Sequence, residues 1–95
     1  MDYEWDAGKQ AANLRKHGVG FSAAIEALRD PHGLEAVDEW FAYGEERVQT
    51  IGMARNGLLF VVTIAPEEHR CRIISARKAT RHEQDRYYAR DRPSR

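Results

Sequence analysis

Two runs of strand-forming residues flank a single Asn-Gly pair in the middle of the chain, and this feature constrains the fold most strongly. The runs are RVQTIGMA, which begins at Arg47, and LLFVVTIA, which begins at Leu58. Asn56 and Gly57 both tolerate positive φ, which the tight turn of a β-hairpin requires. The second run is apolar on both faces, so we expect it to be the central strand of a sheet. Pro66 is expected to end it.

A third strand-like run, RCRIISA, follows a turn at residues 67–69. Strict alternation along this run would place Arg70, Arg72 and Ile74 on one face and Cys71, Ile73 and Ser75 on the other. The next segment, TRHE, has the pattern of a capping box, which predicts a final helix over RHEQDRYYARD.

The residues before the hairpin predict a short strand at YEW, two helices and one more strand. Asp6 is placed as the N-cap of the first helix, AGKQAANLRKHG, which Gly18 ends. The second helix, SAAIEALRDP, has apolar residues at helical spacing and ends at Asp30-Pro31. A short edge strand is expected over residues 34–37. The acidic segment after it carries an aromatic cluster, Trp40, Phe41 and Tyr43, that we interpret either as a partner surface or as side chains buried on the sheet.

These elements predict one α+β domain over residues 1–95, with a tail from about residue 89 that is expected to be flexible. The sheet is expected to be antiparallel, with three to four strands, two helices before it and one helix after it. A chain of 95 residues supports one small core. The sequence shows neither a second domain nor a repeat.

Several classes of protein are disfavoured by composition. The longest apolar run is too short to cross a bilayer, and the start MDYEWD is acidic, unlike a signal peptide, so we expect a cytoplasmic protein. Cys71 is the only cysteine and is interpreted as a small apolar filler. The four histidines, His17, His32, His69 and His82, lack the paired spacing of a metal site.

The charge is balanced overall but not along the chain. From Arg70 onward nine Lys and Arg residues stand against three acids, whereas acids are in excess before it. This asymmetry favours an anionic partner for the C-terminal part. Alternatively, Arg86 and Arg90 simply pair with acids on a solvated helix face. The neutral total disfavours tight, sequence-independent binding of nucleic acid by the domain alone.

Three segments resemble the BrnT family of type II toxins: YEWDAGKQAANLRKHGVGFSAAIEALRDP, GEERVQTIG and RIISARKATRHEQDRYY. The resemblance runs from Tyr3 to about Tyr88. It departs at Gly20, where a serine cap is common, and at Pro66-Glu67-Glu68, which replaces a Gly-containing turn.

This resemblance implies a small bacterial ribonuclease with a RelE-like fold that cuts RNA and inhibits translation. It also implies neutralisation by a BrnA-type antitoxin, a ribbon-helix-helix protein that binds operator DNA, in a heterotetramer. The toxin would reach operator DNA only through that antitoxin.

Cleavage of RNA without a metal needs cations at the phosphate, a base and an acid. Arg72 and Arg77 are the first choices for the phosphate, because RelE-like folds place catalytic basic groups on the concave face of the sheet. The acid and base candidates are His17, Glu46 and His82. Neither a metal nor another cofactor is expected. Further phosphate-binding candidates are Arg70, Lys78, Arg81, Arg47 and Lys16.

Each candidate also has a structural interpretation. Arg72 could form a cross-strand ion pair with Glu46 or Glu68. Lys78 could instead dock an acidic segment of a partner. The chain as a whole could be a non-catalytic binding partner, a degenerate toxin or co-repressor that acts only within an antitoxin–DNA complex.

Overall fold

The chain forms five strands and three helices in the part that the computed structural model describes, residues 1–38 and 46–90, with backbone alone at Pro66 and Arg90. The aromatic cluster of Trp40, Phe41 and Tyr43 lies outside the described residues. The elements are β1 (Asp2–Glu4), α1 (Ala7–His17), α2 (Phe21–Leu28), β2 (Leu34–Asp38), β3 (Arg47–Ala54), β4 (Gly57–Glu67), β5 (Arg70–Lys78) and α3 (Arg81–Arg90).

The strands form one mixed sheet in the order β1-β5-β4-β3-β2. β1 runs parallel to β5, and the other pairs are antiparallel. The α+β class is confirmed, but the predicted antiparallel sheet of three to four strands is wrong, and the helix layout differs in detail because a strand, β1, precedes the two N-terminal helices. The difference arises because β1 has only three residues and pairs with the last strand of the sheet, which local alternation does not reveal.

The central hairpin is confirmed, with its turn one residue earlier than predicted. Ala54 pairs with Gly57, so the loop residues are Arg55 and Asn56. Gly57 has a φ of 122°, whereas Asn56 does not adopt positive φ, so only the glycine needs its conformational freedom here. The Arg55 amide donates to Glu26 Oε1 of α2 at 2.7 Å, which fixes the loop against that helix.

The turn between β4 and β5 also differs from expectation. β4 continues through Pro66 to Glu67, and the turn follows at Glu68 and His69, where His69 has a φ of 65°. The register of β4 on β5 shifts between Ile64 and Glu67. Such an irregularity interrupts the ladder, and a proline without an N–H is tolerated there.

The caps of the first helix follow the sequence pattern. The Lys9 amide donates to Asp6 Oδ2 at 2.9 Å, and Gly18 ends α1 with a φ of 70°. α2 begins at Phe21, and its N-cap, Gly20, provides no side-chain hydrogen bond. None of the helices in the described ranges has the length and apolar character that a membrane span requires.

α1 and α2 cover one face of the sheet. The main core on this face joins Val19, Phe21, Ala24, Ala27, Ala54, Leu59, Val61, Ile73 and Ala76.

A buried asparagine ties α1 to β5. The side-chain amide of Asn13 donates to the carbonyl oxygens of Val19 and Ala76 at 2.9 and 2.7 Å. Its Oδ1 accepts from the Ala76 amide at 3.1 Å. β1 pairs only with residues 70–72 of β5. Asn13 therefore provides hydrogen bonds to the backbone of β5 beyond the residues that β1 reaches. A buried backbone group without such a partner would destabilise the fold.

The close approach of α2 to the sheet depends on Gly52 of β3. A Cβ atom at this position would overlap the backbone carbonyl of Ala27, whereas a Cβ atom at Gly20 would meet nothing closer than Ser22 Oγ at 4.0 Å. The absence of a side chain at Gly52 therefore sets the distance between helix and sheet.

We expect Gly52→Ala to lower the free energy of unfolding by about 3 kcal/mol, because overpacking forces backbone shifts. Urea unfolding of the purified chain measures this loss. The matched control, Gly20→Ala, should change stability by less than about 1 kcal/mol, as an N-cap position that tolerates a methyl group. Equal effects of the two substitutions would contradict this account of the helix–sheet contact.

Candidate active site

An extra residue in β5 determines which side chains share a face. Val62 of β4 pairs with Ser75, but Thr63 pairs with Ile73, which leaves Ile74 without a partner on β4. Such a bulge shifts the alternation by one residue. Residues 70–73 lie on the faces that alternation predicts. Ser75, however, lies on the face of Arg70 and Arg72 and not on the face of Ile73, so the prediction for Ser75 is wrong. The shift also brings Arg77 to the face of Arg72.

A row of charged residues crosses that face, opposite α1 and α2. Through the strand pairings, Glu4 is the neighbour of Arg72, Arg72 of Ile64, Ile64 of Arg47, and Arg47 of Asp38. Directly paired residues project from the same side of a sheet. Since strands lie about 4.8 Å apart, the Cα atoms of Arg47 and Arg72 are separated by about 10 Å. We call the four charged members, Glu4, Arg72, Arg47 and Asp38, the charged row; the buried Ile64 lies between its two arginines.

Glu4 binds two arginines at one end of the charged row. Arg72 donates to Glu4 Oε2 from Nε at 2.7 Å, and its NH2 lies 2.7 Å from the same oxygen. Arg70 Nε lies 3.2 Å from Glu4 Oε1, and Arg70 NH1 lies 3.5 Å from Glu67 Oε1. The side chains of Arg70 and Arg72 remain 45% and 44% exposed, so both are accessible to an anionic ligand. The acid that pairs with Arg72 across the strands is Glu4, neither Glu46 nor Glu68.

An open groove of about 390 Å³ adjoins this cluster. Lys9 and Arg72 place cationic groups on its walls, and Trp5, which packs edge-on against Phe21 with ring centroids 6.1 Å apart, adds an aromatic wall. The groove thus combines positive charge with an aromatic side chain, the pairing that suits single-stranded nucleic acid. It is lined by Glu4, Trp5, Asp6, Lys9, Arg72 and Ile73.

Arg77 is bound to the first turn of α3. Its NH1 and NH2 each donate to one oxygen of Glu83 at 2.8 Å, and its guanidinium lies over the Phe60 ring, 4.1 Å from the centroid. Glu83 also accepts from the Thr80 amide at 2.8 Å, and Thr80 Oγ1 accepts from the Glu83 amide at 3.2 Å. The predicted capping box is therefore confirmed, and Arg77 is part of it.

The electrostatics of this pair are pronounced. The hydrogen bonds from Arg77 outweigh the effect of burial and lower the pKa of Glu83 to about 2, while Glu83 raises the pKa of Arg77. The Glu83 side chain is only 13% exposed, so solvent screens the pair little.

The structure gathers only part of the predicted site. Arg47, Arg70 and Arg72 lie together at one end of the face, and Glu46, which is exposed, directly precedes Arg47. Arg77 pairs with Phe60, four residues along β4 from Ile64, the partner of Arg72. This places Arg77 roughly 13 Å from Arg72 along the strands.

The remaining candidates lie elsewhere. Lys78, Arg81 and His82 surround the start of α3, where Arg81 Nε lies 3.5 Å from Asp85 Oδ1. Lys16 and His17 lie in the last turn of α1, beyond the Asn13 contact with Ala76 and on the helix-covered side of the sheet. No described contact joins either group to Arg72.

Sequence reasoning also missed Asp30, which it interpreted only as a helix stop. Asp30 Oδ2 accepts from the Tyr87 hydroxyl and from the Met53 amide, each at 2.7 Å, and Oδ1 accepts from the His32 amide at 2.9 Å. Burial raises the pKa of Asp30, but these hydrogen bonds outweigh it and lower the pKa overall. One carboxylate thus links the end of α2, the edge of β3 and the C-terminal helix.

Two other groups bear on the chemistry. Cys71 is half-buried, and this burial raises the pKa of its thiol, in agreement with its interpretation as a filler. Among the residues that the structure describes, no three His, Cys, Asp or Glu side chains gather as a metal site.

The Arg77–Glu83 pair predicts acid-dependent stability. A carboxyl whose folded pKa is depressed stabilises the fold above its unfolded value, 4.5, and this contribution is lost as the pH falls toward 2. We expect urea unfolding to show a loss of up to about 3 kcal/mol over that range. The Glu83→Gln variant should be less stable than the wild type at pH 7 and should lose less stability as the pH falls. Parallel curves of the free energy of unfolding against pH for the two proteins would contradict the assignment.

The two arginines should differ in their effect on folding. We expect Arg77→Ala to lower the free energy of unfolding by about 2–3 kcal/mol, since it leaves the partly buried Glu83 unpaired. Arg72→Ala should cost less than about 1 kcal/mol, as the loss of an exposed pair. Thermal and urea unfolding monitored by circular dichroism compare them. A larger loss for Arg72→Ala would reverse the structural assignment.

Two comparisons with known proteins identify the family and the fold. The family model described as "Ribonuclease toxin, BrnT, of type II toxin-antitoxin system" matches residues 5–83. The 1.1 Å crystal structure of the Brucella abortus ribonuclease toxin, BrnT, is similar in fold, with a TM-score of 0.62 and 24% sequence identity over 85% of this chain and 99% of that chain. No curated protein matches significantly. Because the family model spans most of the sequence, the chain belongs to the BrnT family of ribonuclease toxins of type II toxin-antitoxin systems.

Proposed function

We propose that this chain is a toxin that cleaves RNA internally without a metal ion and thereby inhibits translation. The observation that carries the proposal is that Arg70 and Arg72 lie together on Glu4 at one end of the sheet, where Arg72 lines an open groove. Family membership supports ribonuclease activity in general. The arginines supply what a metal-free mechanism needs, which is fixed positive charge at the phosphate.

Arg72 is the residue we expect to bind the scissile phosphate. Its guanidinium is accessible and is held by Glu4 through Nε and NH2. A phosphate presents the same acceptor geometry as a carboxylate to an arginine fork. A phosphodiester that enters the groove can therefore displace Glu4 Oε2 from Arg72 while Glu4 Oε1 stays on Arg70. Arg70 and Lys9 then neutralise the neighbouring charge.

Arg77 is proposed to act mainly through the position of α3. Both of its terminal nitrogens are engaged by Glu83, and its side chain is 33% exposed. Substrate would have to displace a bidentate carboxylate that also caps a helix. Displacing Glu83 from Arg77 costs more free energy than displacing Glu4 from the more exposed Arg72.

The proposed partner is a BrnA-type antitoxin of the ribbon-helix-helix class, which would hold the toxin inactive in a cytoplasmic heterotetramer. Membership in a type II toxin-antitoxin family supports an antitoxin partner. The net charge of zero supports contact with operator DNA through the antitoxin rather than by the toxin itself.

One observation favours a second candidate, a toxin-like chain that binds its partner but does not cleave RNA. Arg70, Arg72 and Arg77 are each neutralised by a carboxylate of the chain itself. A protein that had lost its substrate would retain such pairs as structural contacts. The two candidates differ in whether Arg72 matters to RNA.

Growth and RNA integrity after induced expression separate the two candidates. We expect the chain alone to arrest growth and to cut RNA, and Arg72→Ala to reduce cleavage by about 100-fold or more, the effect of removing a transition-state donor. Arg55→Ala is the matched control, because Arg55 is an 85% exposed arginine in an ion pair with Glu26 and is not a site candidate. It should retain cleavage within about twofold.

Co-expression with a cognate antitoxin of the BrnA type should restore growth. If soluble, folded protein leaves growth and RNA intact, the ribonuclease proposal is wrong and the binding role is supported. If Arg72→Ala cleaves as well as Arg55→Ala does, the phosphate-binding assignment fails while the activity stands.

A further inference from the structure

We propose that Glu4 is the general base that accepts the proton of the attacking 2′-hydroxyl group of RNA. This inference rests on the proposed ribonuclease function and names a catalytic residue that the motifs did not suggest. The observation behind it is that β1 places a carboxylate between Arg70 and Arg72, on the wall of the open groove.

The two oxygens of Glu4 are not equally engaged. Oε2 meets Nε and NH2 of Arg72, both at 2.7 Å, whereas Oε1 meets Arg70 Nε at 3.2 Å. A carboxylate oxygen can accept two hydrogen bonds. Oε1 therefore retains an acceptor position for a hydroxyl donor, and the side chain is 32% exposed, which allows that donor to reach it.

The charged groups around Glu4 fit this role. Arg70 and Arg72 face it from β5, and Lys9 and Asp6 face the same groove from α1 and the residue before it. Asp6 is a poor alternative base, because its Oδ2 already caps α1 through the Lys9 amide. From β4, Glu67 reaches only Arg70, at 3.5 Å.

The other predicted acid and base candidates do not reach this place. His17 lies at the far end of α1, and His82 lies on α3, beside Arg77 and not Arg72. Glu46 precedes Arg47 at the opposite end of the charged row. Within residues 1–38 and 46–90, Glu4 is thus the acid in direct contact with the proposed phosphate-binding arginine.

The proposed step is a balanced transesterification. Glu4 takes the 2′-hydroxyl proton as the 2′-oxygen forms a bond to phosphorus, and the bond from phosphorus to the 5′-oxygen breaks. Solvent water protonates the leaving 5′-oxygen, since the groove is open. The products are a 2′,3′-cyclic phosphate and a 5′-hydroxyl end. Arg72 and Arg70 stabilise the negative charge that accumulates on the phosphate oxygens.

The test measures initial rates of cleavage of total bacterial RNA by the purified chain and its variants from pH 4 to pH 8. Glu4→Gln preserves size and a hydrogen-bond acceptor for the arginines but cannot take a proton. We expect it to lower the rate by about 10²- to 10⁴-fold, the usual contribution of a general base. Glu4→Asp should recover part of the rate.

The pH profile distinguishes a base from a positioning residue. Because a general base acts only in its proton-accepting form, the wild-type rate should fall toward acid pH. Glu4→Asp should keep that fall, and Glu4→Gln should lose it. The matched control is Glu67→Gln, which removes the other carboxylate on Arg70 and should retain the rate within about twofold. Circular dichroism at each pH confirms that every variant is folded.

Three outcomes would overturn the inference. A Glu4→Gln rate within threefold of wild type would mean that no proton goes to Glu4. A higher rate would show that Glu4 only blocks Arg72 as an internal substitute for phosphate. If Glu46→Gln, and not Glu4→Gln, abolishes the acid limb, the base is Glu46. A wild-type chain that leaves RNA intact overturns the ribonuclease proposal itself, which separates the two failures.

Discussion

The parallel pairing of β1 with the start of β5 is the contact on which the candidate site depends. It joins residues 68 positions apart in sequence, Glu4 and Arg72. Without it, Arg70 and Arg72 would be two solvated arginines at the mouth of an edge strand. With it, their guanidinium groups are oriented by a shared carboxylate and stand beside a groove that the start of α1 completes. Positioning of this kind contributes much of the catalytic power of small active sites.

The rest of β5 is fixed by different means along its length. Its middle is covered by Asn13, which bonds to both backbone groups of Ala76, and its end is joined to α3 through Arg77 and Glu83. β5 therefore begins with an accessible polar part, continues through a buried part, and ends in a part that holds α3 in place. Arg72 and Arg77, which look equivalent in RCRIISARK, have different environments for this reason, and the groove lies at the accessible end.

The local elements could be predicted from the sequence, whereas the contacts between them could not. Asp6, Gly18 and the Thr80–Glu83 box are short-range signals, and the structure confirms them. The alternation of Arg70 and Arg72 was also readable. Glu4 was not, because a three-residue strand carries no sign of which distant strand it joins or in which direction.

Two further differences have equally physical causes. A bulge such as the one at Ile74 is decided by how two strands fit together, and one extra residue changes the face of everything after it. The end of α2 already explains an aspartate followed by a proline. The sequence therefore gives no sign that Asp30 also accepts hydrogen bonds from Tyr87 and Met53.

The pairing of the first strand with the last also determines when the site can exist. During synthesis, β1 and α1 leave the ribosome long before β5 does, and β1 has no partner in the sheet until residues 70–72 have emerged. The hairpin of β3 and β4 can form earlier, since its contacts are local. The groove between the start of α1 and Arg72 is therefore complete only after residues 70–72 have been synthesised, later than the hairpin on which the rest of the sheet is built.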